Sequence, residues 1–155
     1  MKKDLEKIEE ELKEGADLEA ILEKYDWRDF ESLVASIFAE RNYKVKTDHR
    51  FKHDGRHQID VVAQGFREIF CVDCKKWSDR KGKISALKKA ILDQKLRTQA
   101  LKDSAHNKSD VYPLIVTLLQ EDIETHENIP VVPVWKLNSF LEDFPQNRGQ
   151  LHKAN

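Results

Sequence analysis

Apolar residues recur at two different spacings along the chain, and the change of spacing separates helices from strands. Between Trp27 and Phe38 they come every three or four residues, which predicts a helix with one buried face. Asp26 precedes this run and Asp29 follows three residues later, a pattern typical of a helix N-terminus. Two shorter runs of leucine and isoleucine in residues 1–25 predict a short N-terminal helical extension.

Beyond the helix the spacing falls to two, which is typical of strands. The polar segment 47–57, around Gly55, is predicted to be a loop, and the two prolines of the last strand favour a position at the sheet edge. These patterns predict one α/β domain with a mixed central sheet. The elements expected after the helix are strands at 43–46, 58–63 and 68–75, a helix at about 84–101, strands at 113–119 and 129–134, and a last helix capped by Asn138 or Ser139.

Length and composition are those of one domain with a substantial core. The chain has 155 residues, of which 39% are hydrophobic and 35% charged, and it contains only two cysteines. It lacks a long apolar run, a secretory leader and a disulfide framework, so we expect a cytoplasmic protein that does not enter membranes. We place the N-terminal extension at 1–25, the domain at 26–145 and a loose tail at 146–155.

Charge is unevenly distributed, although the net charge is only −1. The segment from Lys75 to Lys102 holds ten basic and two acidic residues, whereas residues 1–24 hold five basic and nine acidic ones. Such a basic segment is either a solvated helix face or a binding surface for an anionic polymer. The second interpretation predicts DNA as a partner, with phosphate contacts from Lys76, Arg80, Lys81 and Lys83 after the third strand and from Arg56 and His57 before the second.

Three charged residues interrupt strands that are otherwise apolar. Asp60 lies in the strand IDVVA, while Asp73 and Lys75 share one face of the strand IFCVDCK. If these strands pair as a hairpin, Asp60 lies beside Asp73, and two carboxylates about 4 Å apart repel each other by about 4 kcal/mol. A divalent cation such as Mg²⁺ or Mn²⁺ would relieve that repulsion. The alternative is a half-exposed strand whose charges face solvent.

In order and spacing, the segments FESLVASIFAERNYKV, IDVVA, CVDCKKW, LIVTLL and IPVVPVWKL resemble the PD-(D/E)xK nuclease superfamily. Within it, the chain is most similar to Mrr-type restriction endonucleases and archaeal Holliday-junction-resolvase-like enzymes. The resemblance implies a restriction-endonuclease-like αβββαβ core and a Mg²⁺-dependent endodeoxyribonuclease. It departs from the Mrr pattern in the approach to Asp60, which reads HDGRHQID, and in having Asp at position 73 where many relatives carry Gln or Glu.

The resemblance also implies roles for individual residues. Asp60 and Asp73 would bind the metal together with the Cys74 carbonyl, and Lys75 would assist the attacking water. Glu31, on the first core helix, occupies a position where family members often use an acid; a surface Glu favoured by the helix dipole is the alternative. A silent DNA-binding module and a nuclease subunit of a larger repair or restriction complex stay open as functions.

Other candidate sites have weaker support. The cysteines at 71 and 74 point to opposite faces of a strand, which disfavours zinc, and the histidines at 49, 53 and 57 lie in the predicted loop. One active site cuts one strand, so symmetric double cuts usually require two copies related by a two-fold axis. We therefore expect a homodimer with the leucine-bearing N-terminal helices at or near its interface; packing of these helices on a monomer is the alternative.

Overall fold

The computed structural model describes residues 10, 26–75, 83–105, 108–118 and 120–155. The predicted N-terminal extension therefore lies outside the described residues apart from Glu10, as does the segment that follows the third strand. The elements are α1 (Trp27–Glu40), β1 (Lys44–Lys52), β2 (Arg56–Gln64), β3 (Glu68–Lys75), α2 (Lys83–Ala105), β4 (Asp110–Thr117), β5 (Thr125–His126), β6 (Ile129–Pro133), a 3₁₀ turn (Val134–Lys136), α3 (Leu137–Asn147) and a second 3₁₀ turn (Arg148–Gln150).

The strands form one mixed sheet in the order β1-β2-β3-β4-β6-β5. β1, β2 and β3 pair antiparallel, β4 pairs parallel with β3 and β6, and β5 pairs antiparallel with β6. A helix precedes the first three strands and a second helix lies between β3 and β4. This order confirms the α/β class and the restriction-endonuclease-like αβββαβ core.

Helices cover both faces of the sheet. α1 and α3 pack on one face against Phe70, Val72 and Cys74 of β3. α2 packs on the other face, where Leu101 meets Cys71. The predicted alternation of β3 is thus confirmed, and it sends Asp73 and Lys75 to the α2 side because they share the parity of Cys71.

The start of α1 is encoded locally, as predicted. The Asp29 backbone N–H donates to Asp26 Oδ1 at 2.9 Å, and the Asp26 N–H donates to Asp29 Oδ2 at 3.2 Å. This reciprocal pair satisfies two backbone donors that a helix N-terminus leaves unpaired. The same helix buries Phe30, Leu33 and Ile37, so its orientation is set by its apolar face.

The polar loop predicted at 47–57 is wrong, because β1 continues to Lys52 and β2 starts at Arg56. Only a tight turn separates them, and it places Asp54 at φ 50° and Gly55 at φ 122°. Gly55 suits this turn because it lacks a Cβ. The strands escaped prediction because most β1 side chains are exposed, which removes the apolar alternation that marks a strand.

The end of the chain differs from the prediction in three respects. β6 lies between β4 and the short β5, not at the edge. Neither Asn138 nor Ser139 caps α3, which starts at Leu137 directly after a 3₁₀ turn. The tail expected to be loose instead packs on the domain, where Ala154 is buried and its N–H donates to the Val111 carbonyl at 2.8 Å.

Candidate active site

Asp60 and Asp73 face each other where β2 and β3 separate. The hairpin ladder runs from Gln64 and Ile69 to Val61 and Val72, so the next opposed positions are the two aspartates. Beyond the ladder, the Cys74 backbone N–H donates to Asp60 Oδ2 at 2.9 Å. The Asp60 carboxylate thus takes the place of a backbone acceptor on the neighbouring strand, and this hydrogen bond holds the carboxylate at the end of the sheet. The sequence prediction that these two residues lie side by side agrees with this register.

Asp73 is the more deeply buried of the two aspartates. It is only 6% exposed, and its Oδ2 lies 3.3 Å from Lys75 Nζ. That oxygen accepts no hydrogen bond within the part of the chain that the structure describes. Burial raises the pKa of Asp73 to about 7; Lys75 opposes the rise, and a hydrogen bond and charge repulsion from Asp60 add to it. The site therefore disfavours two ionised carboxylates unless further positive charge is supplied.

Glu31 reaches the same site from α1. Burial raises the pKa of Glu31 to about 7, and the charges of Asp60 and then Asp48 raise it further, against a lowering effect of Arg28. Glu31 also lines one cleft with Asp48, which stands opposite Asp60 in the strand register. The structure therefore brings the predicted helix residue to the strand aspartates, although the two segments are about thirty positions apart in the sequence.

The charged groups at this end of the sheet also affect the pKa of the Cys74 thiol. Burial raises the pKa of this thiol well above its ordinary value, and Asp60, Asp73 and Glu31 raise it in that order, while Lys75 lowers it. The thiol itself is fully buried in the core on the α1 side of the sheet. Its role is structural packing, whereas its backbone N–H positions Asp60.

Asp48 is a site residue that the sequence analysis missed. Thr47 pairs with Val61 and His49 with Ile59, so Asp48 stands opposite Asp60 in the register. Its backbone has φ 50°, a left-handed conformation within a strand that non-glycine residues seldom adopt. No signal in the sequence marks it, because most side chains of this strand are exposed and lack an apolar alternation.

Gln94 is the second missed residue, and it supports the site from α2. It is fully buried, and its Nε2 donates to the Cys71 carbonyl at 2.8 Å. Arg97 Nη1 in turn donates to Gln94 Oε1 at 3.0 Å, and the charge of Arg97 lowers the pKa of Asp73. A signal was available, since Gln94 lies three residues after Ile91 on the apolar stripe of the helix, where a polar residue needs a partner.

The predicted DNA-contacting residues are only partly described. Lys76, Arg80 and Lys81 lie outside the described residues, as does the side chain of Lys83. Arg56 is exposed on the β1–β2 hairpin. His57 is half-buried; its Nε2 donates to the His53 carbonyl at 2.8 Å, and its ring stacks with Phe51 at 5.2 Å.

Three further observations bear on the predictions. His49 also stacks with Phe51, at 5.5 Å. Across residues 26–75, 83–105, 108–118 and 120–155, no three or more acidic, histidine or cysteine side chains are grouped to hold a metal ion. The helices of those ranges include none that is long and apolar enough to cross a bilayer.

Comparisons with known proteins show which sequences and structures this chain is similar to. Residues 22–111 match the sequence profile of a family described as "Restriction endonuclease", the Mrr-type catalytic domain. An uncharacterized protein of Archaeoglobus fulgidus is 30% identical over 116 residues, which are 74% of this chain and 88% of that protein. A crystal structure of a protein of unknown function is 16% identical with a TM-score of 0.44; the match covers 76% of this chain and 59% of that protein's length. The matched family segment contains Glu31, Asp60, Asp73 and Lys75.

Proposed function

Because this chain belongs to the Mrr-type restriction endonuclease family, we propose that it is a metal-dependent endonuclease that hydrolyses phosphodiester bonds in DNA. The observation that carries the proposal is the buried Asp73, which faces Asp60 across the end of the β2–β3 ladder and pairs with Lys75. A nuclease needs charge compensation and an activated water at the scissile phosphate, and these residues supply the groups for both.

The donor set fits a hard divalent cation. Asp73 Oδ2 is buried and accepts no hydrogen bond among the described residues, so it is suited to ligate a cation. Asp60, Asp73 and the Cys74 carbonyl would hold Mg²⁺ or Mn²⁺, with Glu31 at the border of the site. Mg²⁺ is usually bound by one or two carboxylates and retains several waters. When bound, such a cation acts as a Lewis acid on the phosphate and makes water a stronger nucleophile.

Lys75 serves the reaction from the same strand face as Asp73. Its Nζ lies 3.3 Å from Asp73 Oδ2, and the side chain is 27% exposed, so the ammonium group borders both the carboxylate and solvent. From there it orients the attacking water and balances the negative charge that develops on the phosphate. Asp60 is held ready by the Cys74 N–H and needs no rearrangement to take part.

Two groups of basic residues bind the DNA in this proposal. Lys76, Arg80, Lys81 and Lys83 directly follow the catalytic strand and grip backbone phosphates that flank the scissile bond. On the hairpin, Arg56 is exposed and suited to a phosphate, whereas His57 is held by His53 and Phe51 and contributes through the ring edge that stays accessible.

Two copies of the chain act together in this proposal, since each site cuts one strand. The N-terminal helical extension, residues 1–25, forms or borders the interface. Light scattering on the full-length chain and on a chain without residues 1–24 tests this. We expect dimer mass only for the first; a full-length monomer, or a truncated dimer, contradicts the role of the extension. The cytoplasmic location stays a prediction.

Cleavage assays test the main proposal. Plasmid, linear and branched DNA are incubated with the full chain and Mg²⁺, Mn²⁺ or EDTA, and Asp73→Asn is compared with Asp122→Asn, the same change at an exposed position. We expect cleavage with either metal, none with EDTA, and loss only in Asp73→Asn. Binding without any cleavage would identify a silent DNA-binding module. If the purified chain is inactive and an extract that contains its partners restores cleavage, the chain is a subunit of a larger complex.

A further inference from the structure

A cleft of about 400 Å³ opens beside the proposed catalytic carboxylates, between the start of α1 and the β1–β2 pair. Glu31 lines this cleft together with Asp48, which stands opposite Asp60 in the strand register, so the cleft adjoins the proposed metal site. Its volume lies near the lower end of the range of small-molecule sites. The other residues that matter for its chemistry are Trp27, Arg28, Asp48, Arg50 and Gln58.

The lining combines the three kinds of group that recognise a nucleotide. Trp27 offers an indole that is 39% exposed, and it stacks with Phe30 at 6.5 Å with only 16° between the rings, which fixes its plane. Arg28 and Arg50 offer guanidinium groups that match a phosphate. Gln58 offers an amide that both donates and accepts hydrogen bonds.

Asp48 organises the strand side of the cleft. Its Oδ1 accepts a hydrogen bond from Arg50 Nε at 3.2 Å and another from Gln58 Nε2. Because the Arg50 contact uses Nε and that side chain is 72% exposed, its terminal nitrogens stay accessible to a phosphate. The left-handed backbone at Asp48, φ 50°, is a strained conformation of the kind that clusters at functional sites.

We propose that this cleft binds one unpaired nucleotide of the DNA strand next to the scissile phosphate. The base lies against Trp27, and Arg50, positioned by Asp48, holds the phosphate. This inference rests on the proposed nuclease function, which it deepens by naming the substrate class. A base that is paired and stacked in a duplex cannot enter a concave site without leaving the stack. The enzyme therefore selects DNA in which a single-stranded nucleotide adjoins a duplex.

The test compares two DNA ligands in EDTA, where no cleavage occurs. Fluorescence anisotropy measures the affinity of the full chain for a blunt duplex and for the same duplex with a single-stranded overhang. We expect the wild type to prefer the overhang, and Trp27→Leu to lose about 5- to 100-fold of that preference. Trp135→Leu, the same change at an exposed tryptophan outside the cleft, should retain it.

A second pair of variants keeps the inference testable if Trp27→Leu does not fold. Arg50→Gln should lower the slope of log affinity against log salt by about 0.7 for the overhang ligand alone. Lys44→Gln, at an exposed position on the same strand, should leave the overhang preference unchanged. Equal weakening of both ligands by Arg50→Gln, or a wild type without overhang preference, overturns the subsite.

A matched pair of variants tests the positioning role of Asp48. Asp48→Asn and Asp48→Gly both remove the charge and both tolerate a positive φ, but only the first keeps an oxygen acceptor for Arg50 and Gln58. We expect Asp48→Gly to lose more overhang preference than Asp48→Asn; equal loss refutes the positioning role. A protein that prefers the overhang yet never cuts DNA would refute the nuclease proposal and leave the subsite standing.

Discussion

Replacing Asp73 with asparagine removes one of two neighbouring carboxylates from a buried position and keeps the size of the side chain. We predict two opposite consequences from this one change. The metal-free protein becomes more stable at alkaline pH, because like-charge repulsion and the burial of a charge are both relieved. Metal-dependent cleavage is lost, because the ligand oxygen is replaced by a neutral amide.

The expected size of the stability gain follows from the pKa of Asp73. Its ordinary value is 3.8, and the folded protein raises it to about 7. A raised pKa means that the folded state holds the proton more tightly, so the proton stabilises the fold below pH 3.8 and that stabilisation is lost as the pH rises through 7. A rise of about 3 units corresponds to about 4 kcal/mol. This rise already includes the opposing effect of Lys75, so the expected net gain is about 4 kcal/mol.

Urea unfolding in EDTA measures this gain. At about pH 8 we expect the free energy of unfolding of Asp73→Asn to exceed that of the wild type by about 4 kcal/mol. At about pH 4 the gain should largely disappear, because Asp73 is then protonated in the folded wild type. Asp122→Asn serves as the control, and its free energy of unfolding should stay within about 0.5 kcal/mol of the wild type.

Three outcomes would refute this reasoning. A gain that is equal at both pH values would show that charge is not its cause. Destabilisation of Asp73→Asn at about pH 8 would show that the ion pair with Lys75 outweighs burial and the repulsion from Asp60. Cleavage by Asp73→Asn at the wild-type rate would remove Asp73 from the proposed metal site.

Three further predictions concern other contacts. Lys75→Met should lower the single-turnover cleavage rate by about 10²- to 10⁴-fold with DNA affinity little changed, and a smaller loss would show that Lys75 has no direct part in the reaction. Gln94→Leu leaves the buried Cys71 carbonyl without its side-chain donor, so urea unfolding should show a loss of about 1 to 3 kcal/mol. Gly65→Ala should lower stability by about 1 to 3 kcal/mol, because a Cβ there would lie 2.6 Å from the ring of Tyr43; unchanged unfolding would mean that the ring can move aside.

Local features of the fold were predictable because their partners lie close in the sequence. The cap of α1 depends on Asp26 and Asp29, three residues apart, and both hydrogen bonds are present. The opposition of Asp60 and Asp73 follows from a tight turn between two strands, since a short turn determines the register. The family resemblance then implied chemical roles for the charged residues that interrupt the apolar strands.

Features that are stabilised by backbone hydrogen bonds and carry no apolar pattern escaped prediction. The sequence predicts a loop at 47–57, where the structure has most of β1 and the start of β2, because the exposed β1 side chains carry no apolar alternation. The tail was expected to be loose, because the sequence does not show that Val111 offers a carbonyl to the Ala154 N–H. In both cases the stabilising contact is a backbone hydrogen bond, which can form whichever side chain the residue carries.

The sequence by itself determined the fold class, the helix cap, the alternation of β3 and the pairing of Asp60 with Asp73, because each rests on periodicity or on neighbours within a short hairpin. Only the tertiary structure decided that Glu31 lines one cleft with Asp48, that Asp48 stands opposite Asp60, and that Gln94 binds the β3 backbone. These contacts join α1, β1 and α2 to the sheet. Their distances are set by how the apolar faces of the helices pack, and that packing is a property of the whole domain.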